Sequence, residues 1–189
     1  MVAGPHEGPY PLAARVHNSF ISRDDTARVQ IGLARLAGLV WVAYFGLAVA
    51  GTTLKIVPLS VAANAVYYVV AVVLVRFLGP ADRLLPFAML AFAAVGCVIQ
   101  SVGMIQGDRD IQRTALAFFG LFDAVLGYLL LRSRAPSLIG YALVAGGLGS
   151  FTLIFPQTPA PMAAVAFGVA ALAEGGLVLW LLLTGQPVT

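Results

Sequence analysis

Charge is scarce in this chain. Of 189 residues, 10% are Asp, Glu, Lys or Arg and 60% are hydrophobic, whereas a soluble domain carries about 25% charged residues and under half apolar ones. A water-soluble fold of this length would need more polar surface to cover itself. The implied solvent is lipid, in line with a mean hydropathy of +0.94. Lysine is nearly missing, with Lys55 the one lysine among 11 basic residues. The arginines are scattered between apolar runs and the net charge is only +3, which gives no footprint for a nucleic-acid partner. Cysteine is reduced to Cys97, so an intrachain disulfide and a Cys-rich metal site are both excluded. The two histidines, His6 and His17, precede the first apolar run and leave none inside the runs for haem or a buried metal. Lys55 falls in a break between runs, not where a Schiff base would need it, and no glycine-rich phosphate loop is present. No cofactor is implied. An enzyme is the least supported class, because a nucleophile and a metal site are both wanting.

What the chain has in abundance is uninterrupted apolar sequence. Six runs, at about 32–50, 57–78, 84–105, 114–131, 137–155 and 162–183, reach or approach the roughly 20 residues that cross a bilayer core. They are continuous rather than alternating, and lipid requires backbone hydrogen bonds to close within a segment, so helices are expected over strands. The breaks GTTLK, LGPADR, QGDRDIQR, RSRAPS and PQTPAP are short and rich in turn residues. The expected fold is all-α, a polytopic membrane bundle of six transmembrane helices over residues 31–189. Residues 1–30, rich in Pro and Gly, lack the short apolar core of a cleaved signal. They read as a water-exposed arm, helical towards its end, where Asp24 or Asp25 would cap a helix. The breaks FLGPADRLLP and LRSRAPSLIG look alike, but two basic turns on one membrane face account for that without an internal repeat.

The arginines also orient the bundle. With the amino terminus in the cytoplasm, Arg15, Arg23, Arg28, Arg35, Arg76, Arg83, Arg132 and Arg134 fall inside, and Lys55, Arg109 and Arg113 outside. That bias favours both termini cytoplasmic. Trp180 and Tyr141 suit the inner interface.

Three stretches resemble the multi-pass bacterial membrane family known as domain-of-unknown-function family 4386. ARLAGLVW (34–41) is similar to its first helix. FFGLFDAVLGYLLLRS (118–133), continued by PSLIGYALVAGGLG (136–149), is similar to its fourth helix and the stretch after that helix, and AEGGLVLWLLLTG (173–185) to its last. The resemblance implies a six-helix inner-membrane protein and no known activity. One departure bears on function: where the family tends to carry a histidine, Phe122 stands here, and the polar residue is Asp123, one position later.

Two carboxylates, Asp123 and Glu174, lie within apolar runs. A charge at the bilayer centre costs about 2.5–3.5 kcal/mol on insertion scales, so each is a candidate proton, ion or polar-ligand site. At 1.5 Å per residue they sit about 15 Å and about 20 Å from the outer side, depths that let them meet. Gly120 and Gly127 flank Asp123 at i−3 and i+4, and Gly175 adjoins Glu174. All three are expected helix-packing positions that turn the acids towards neighbouring helices. The competing reading makes each acid a structural group, hydrogen-bonded to Tyr44, Tyr67, Tyr68, Asn64 or a backbone carbonyl. Asn64 and Gln100, nearer the outer half, either join helices or line a vestibule leading to the acids. Arg35, one turn into the first run, snorkels to the inner headgroups or pairs with Glu174. The functional expectation is a proton- or ion-linked transport-like role. The alternative is a non-catalytic subunit of a larger membrane complex, packing through its glycine faces and arm. Partners are then the bilayer itself and other membrane subunits or further copies of this chain.

Overall fold

The computed structural model describes residues 23–133, 135–155 and 157–185. Among these the protein is all-α. Its six helices are α1 (Arg23–Leu54), α2 (Val57–Leu78), α3 (Leu85–Gln106), α4 (Arg109–Leu131), α5 (Ser137–Thr152) and α6 (Ala160–Leu183). Five are long and apolar enough to cross a membrane; α5, with 16 residues, is the shorter one. The protein is a multi-pass membrane bundle. Its outer surface carries large apolar side chains in numbers that water would not tolerate, such as Leu39, Val49, Phe87 and Leu172.

Local chemistry sets the helix boundaries. Proline opens α2, α3 and α6 within their first two positions, where a missing N–H costs nothing and the fixed φ suits a helix. Asp108 caps α4, its Oδ1 accepting from the N–H groups of Asp110 (2.8 Å) and Ile111 (3.2 Å). Gly107 ends α3 at φ +69°, a left-handed conformation that glycine adopts without strain. Helix α1 is already formed at Arg23. Residues 23–30 of the expected arm are therefore part of α1, and 1–22 lie outside the described residues.

The helices pack as a closed ring. Each lies against its neighbours in sequence, and α6 closes the circle on α1. Short connections make the neighbours antiparallel. The α1–α2, α3–α4 and α5–α6 connections thus share one end, called here the Lys55 end, and the α2–α3 and α4–α5 connections the other, the Arg83 end. At the Arg83 end an ion pair, Arg132 Nη1 to Asp82 Oδ2 at 3.3 Å, ties the last turn of α4 to the α2–α3 connection. This end of the ring is filled by buried Leu74, Phe77, Leu78, Met89, Leu129, Leu130 and Leu181. Trp180 packs on Phe77 at 6.3 Å and is 8% exposed. Tyr141 is exposed.

A carboxylate chamber inside the ring

Asp123 is placed by the seam between α4 and α5. A Cβ on Gly120 would meet the Gly147 carbonyl oxygen at 2.5 Å, and one on Gly127 the Gly140 oxygen at 2.6 Å. These two contacts, seven residues apart on each helix, bring the backbones as close as helices approach in membranes. Asp123 lies between them on α4 and is 4% exposed. On the far side of α5, Gly146 packs on Ala170 and Gly149 on Ala166 of α6. Gly175 departs from expectation. A Cβ there would meet nothing within 4 Å, so α6 makes its close approaches through Ala166 and Ala170, not beside Glu174. The registers of Gly147 on α4 and Gly146 on α6 put Asp123 level with Ala170. Glu174 then lies about one turn, ~6 Å, nearer the Arg83 end.

The two acids open onto one cavity of about 190 Å³. Five aromatic residues line it: Tyr44 and Phe45 from α1, Tyr67 from α2, Phe119 from α4 and Phe167 from α6. Ser150 of α5 also lines it, its hydroxyl donating to the Gly146 carbonyl at 3.0 Å. Among the described residues, no lysine, arginine or histidine lines it. Among the described residues Asp123 Oδ1 is buried and has no hydrogen-bond partner, and Glu174 lines the same cavity. The expected satisfaction of Asp123 by a neighbouring hydroxyl, amide or carbonyl is therefore not met at that oxygen. Tyr68 faces outward instead, away from the chamber. The Trp41 indole reaches the neighbourhood of the Glu174 carboxyl, but its buried N–H makes no hydrogen bond of proper geometry.

A second cavity, of about 220 Å³, lies towards the Lys55 end and shares Tyr44, Leu116 and Phe119 with the first. Asn64 and Gln100 both line it, as do Thr52 and Ser60. Asn64 Nδ2 donates to Ser101 Oγ at 3.0 Å, and the Cys97 thiol donates to the Asn64 carbonyl at 3.2 Å. Gln100 Oε1 is buried without a partner. In the opposite direction the chamber abuts tightly packed Trp41, Phe122, Leu126 and Leu177. Polar cavities thus adjoin one another towards the Lys55 end of the ring, and apolar packing lies on the other side.

Arg35 takes no part. It is exposed on α1 and lines neither cavity, so pairing with Glu174 does not occur and the snorkelling geometry remains. Ser150, Phe119 and Phe167 were not singled out from the sequence. The two phenylalanines stand four residues before Asp123 and seven before Glu174, a helical spacing that puts them on the acids' own faces. Ser150 carried no such signal, since its role depends on where α5 ends.

The family model described as "Domain of unknown function (DUF4386)" matches residues 108–185, which hold α4, α5 and α6 and both carboxylates. No curated protein and no solved structure matches the chain.

Proposed function

We propose that this membrane protein, whose residues 108–185 belong to domain-of-unknown-function family 4386, has a proton- or ion-linked transport-like role in which Asp123 and Glu174 are the coupling groups. One observation carries the reading: two carboxylates share an interior cavity that, among the described residues, no cationic side chain lines. Negative charge in a low-dielectric site has to be neutralised. With no protein cation to do so, a proton or a bound cation takes that part, and the pair exchanges one for the other. The Asn64–Gln100 cavity supplies a hydrated approach from the Lys55 end, and the packed Arg83 end supplies the barrier that a carrier must open in turn. In this reading all six helices cross the bacterial inner membrane. The arginine bias puts the Arg83 end and both termini in the cytoplasm, and the Lys55 end faces outward.

The test is flux. Protein reconstituted in liposomes containing a pH-sensitive dye is given a pH gradient, in the presence and absence of candidate cations. Wild-type protein should move protons at a rate that depends on an added cation. Asp123→Asn and Glu174→Gln, which keep shape and remove charge, should lower the rate at least tenfold while remaining monodisperse in detergent. Folded variants that match wild type would overturn the proposal, as would a wild type no faster than empty liposomes. The latter, with stoichiometric copurification of other subunits, would favour the accessory-subunit reading.

A further inference from the structure

We infer that the chamber binds a small organic ammonium ion rather than a bare metal cation. This rests on the coupling role proposed for Asp123 and Glu174 and names its ligand. The cavity volume of about 190 Å³ corresponds to about six waters at ~30 Å³ each. It is too roomy to grip a dehydrated alkali ion and smaller than the roughly 300–1,000 Å³ of sites for drug-sized molecules. A bare cation entering it would exchange its hydration shell for a full set of hard oxygen ligands. This wall offers the two carboxylates and the hydroxyl-bearing Ser150, Tyr44 and Tyr67, set around a space of that size among aromatic and aliphatic carbon.

That same wall suits an ammonium ion carrying methyl or short alkyl groups. Tyr44, Phe45, Tyr67, Phe119 and Phe167 present rings from four different helices, and ring faces attract such cations most strongly where water is excluded. Tyr67 is held in place by edge contacts to Trp41 at 6.3 Å and to Phe119 at 5.2 Å, so the cage is formed before a ligand arrives. The unpartnered, buried Asp123 Oδ1 supplies the counter-charge. Binding is an exchange: one monocation enters and one proton leaves the carboxylate pair, so the charge of the chamber is unchanged. The other titratable groups lining the chamber are Tyr44 of α1 and Tyr67 of α2. Neither of these is cationic, so neither competes with the ligand for the acids.

The experiment is calorimetric titration of the detergent-purified full chain with tetramethylammonium chloride, compared with sodium and potassium chloride at equal ionic strength. Tetramethylammonium should bind at one site per chain, release about one proton, and weaken as pH falls. Binding should weaken at least tenfold in Asp123→Asn. It should weaken about fivefold in Phe119→Leu, with recovery in Phe119→Tyr, and comparably in Phe167→Leu, whose side chain is half exposed and so tolerant of change. Sodium or potassium binding in place of tetramethylammonium would overturn the ligand class while leaving the flux result standing. Tetramethylammonium binding with no flux would support the ligand class and remove transport. Equal binding by Phe119→Leu, Phe167→Leu and wild type would overturn the aromatic cage.

Discussion

Asp82 Oδ1 accepts from the backbone N–H groups of Leu85 at 3.0 Å and Leu84 at 2.8 Å, and Oδ2 from Arg132 at 3.3 Å. The two backbone N–H groups, that of Leu85 foremost, and then the Arg132 charge hold its carboxyl below the usual carboxylate range. Because the folded-state value is depressed, the ionised form stabilises the fold above the unfolded value of about 3.9. That contribution disappears as pH falls through the folded value. Asp82→Asn retains an accepting oxygen and loses the charge. Its melting temperature in detergent should therefore lie below wild type at pH 7, with the gap closing as pH falls below about 4; a gap independent of pH would contradict this. Asp123 has the opposite surroundings, with no backbone donor at Oδ1. Its presence was legible as an acid inside an apolar run. Its lack of a partner was not, because most of the residues that wall it in come from α1, α2, α5 and α6, far from it along the chain.

The same limit acts on whole helices. Gly120 and Gly127 could be read as a packing face because the spacing that matters is internal to α4, and α5 answers with Gly140 and Gly147 at the same interval. Gly175 sits in an equally small-residue sequence, yet nothing approaches it; whether a small residue is used depends on what lies opposite. Gly120→Ala and Gly127→Ala each drive a methyl into a backbone carbonyl that cannot rotate away, and should cost about 1–3 kcal/mol. Gly175→Ala should be neutral or stabilising by up to about 1 kcal/mol, through helix propensity alone. Thermal unfolding in detergent separates the two outcomes, and equal melting temperatures for all three would refute the assigned seam. The early stop of α5 was likewise hidden, since apolar sequence runs on through Phe155. The last turn ends at Thr152 because hydroxyls take over its carbonyls: Ser150 donates to Gly146 O, Thr152 to Gly149 O at 2.7 Å, and Thr158 to Thr152 O.

At the scale of the molecule, hydropathy gave the existence of the bundle and most helix positions, but closure of the ring through α6 on α1 left no mark in local sequence. The site depends on that closure and on direction. Asp123 and Glu174 come within a turn of each other only because α4 and α6 run the same way, which requires α5 to cross between them. At 16 residues, or about 24 Å, α5 falls short of the ~30 Å hydrocarbon core. In the six-span reading proposed above, the connection to α6 has to complete the passage, and membranes accept backbone outside regular helix where protein shields it. Cysteine labelling tests this directly. The native Cys97 is buried, so a Cys97→Ser background carries little reactive thiol of its own. In it, Lys55→Cys and Gln157→Cys should react with a membrane-impermeant maleimide added to intact cells. Arg83→Cys and Ser137→Cys should react only after the membrane is opened. Ser137→Cys and Gln157→Cys labelling from the same side would mean that α5 turns back, reversing α6 and moving Glu174 away from Asp123. The reverse pattern at all four positions would keep the chamber intact and invert the orientation read from the arginines.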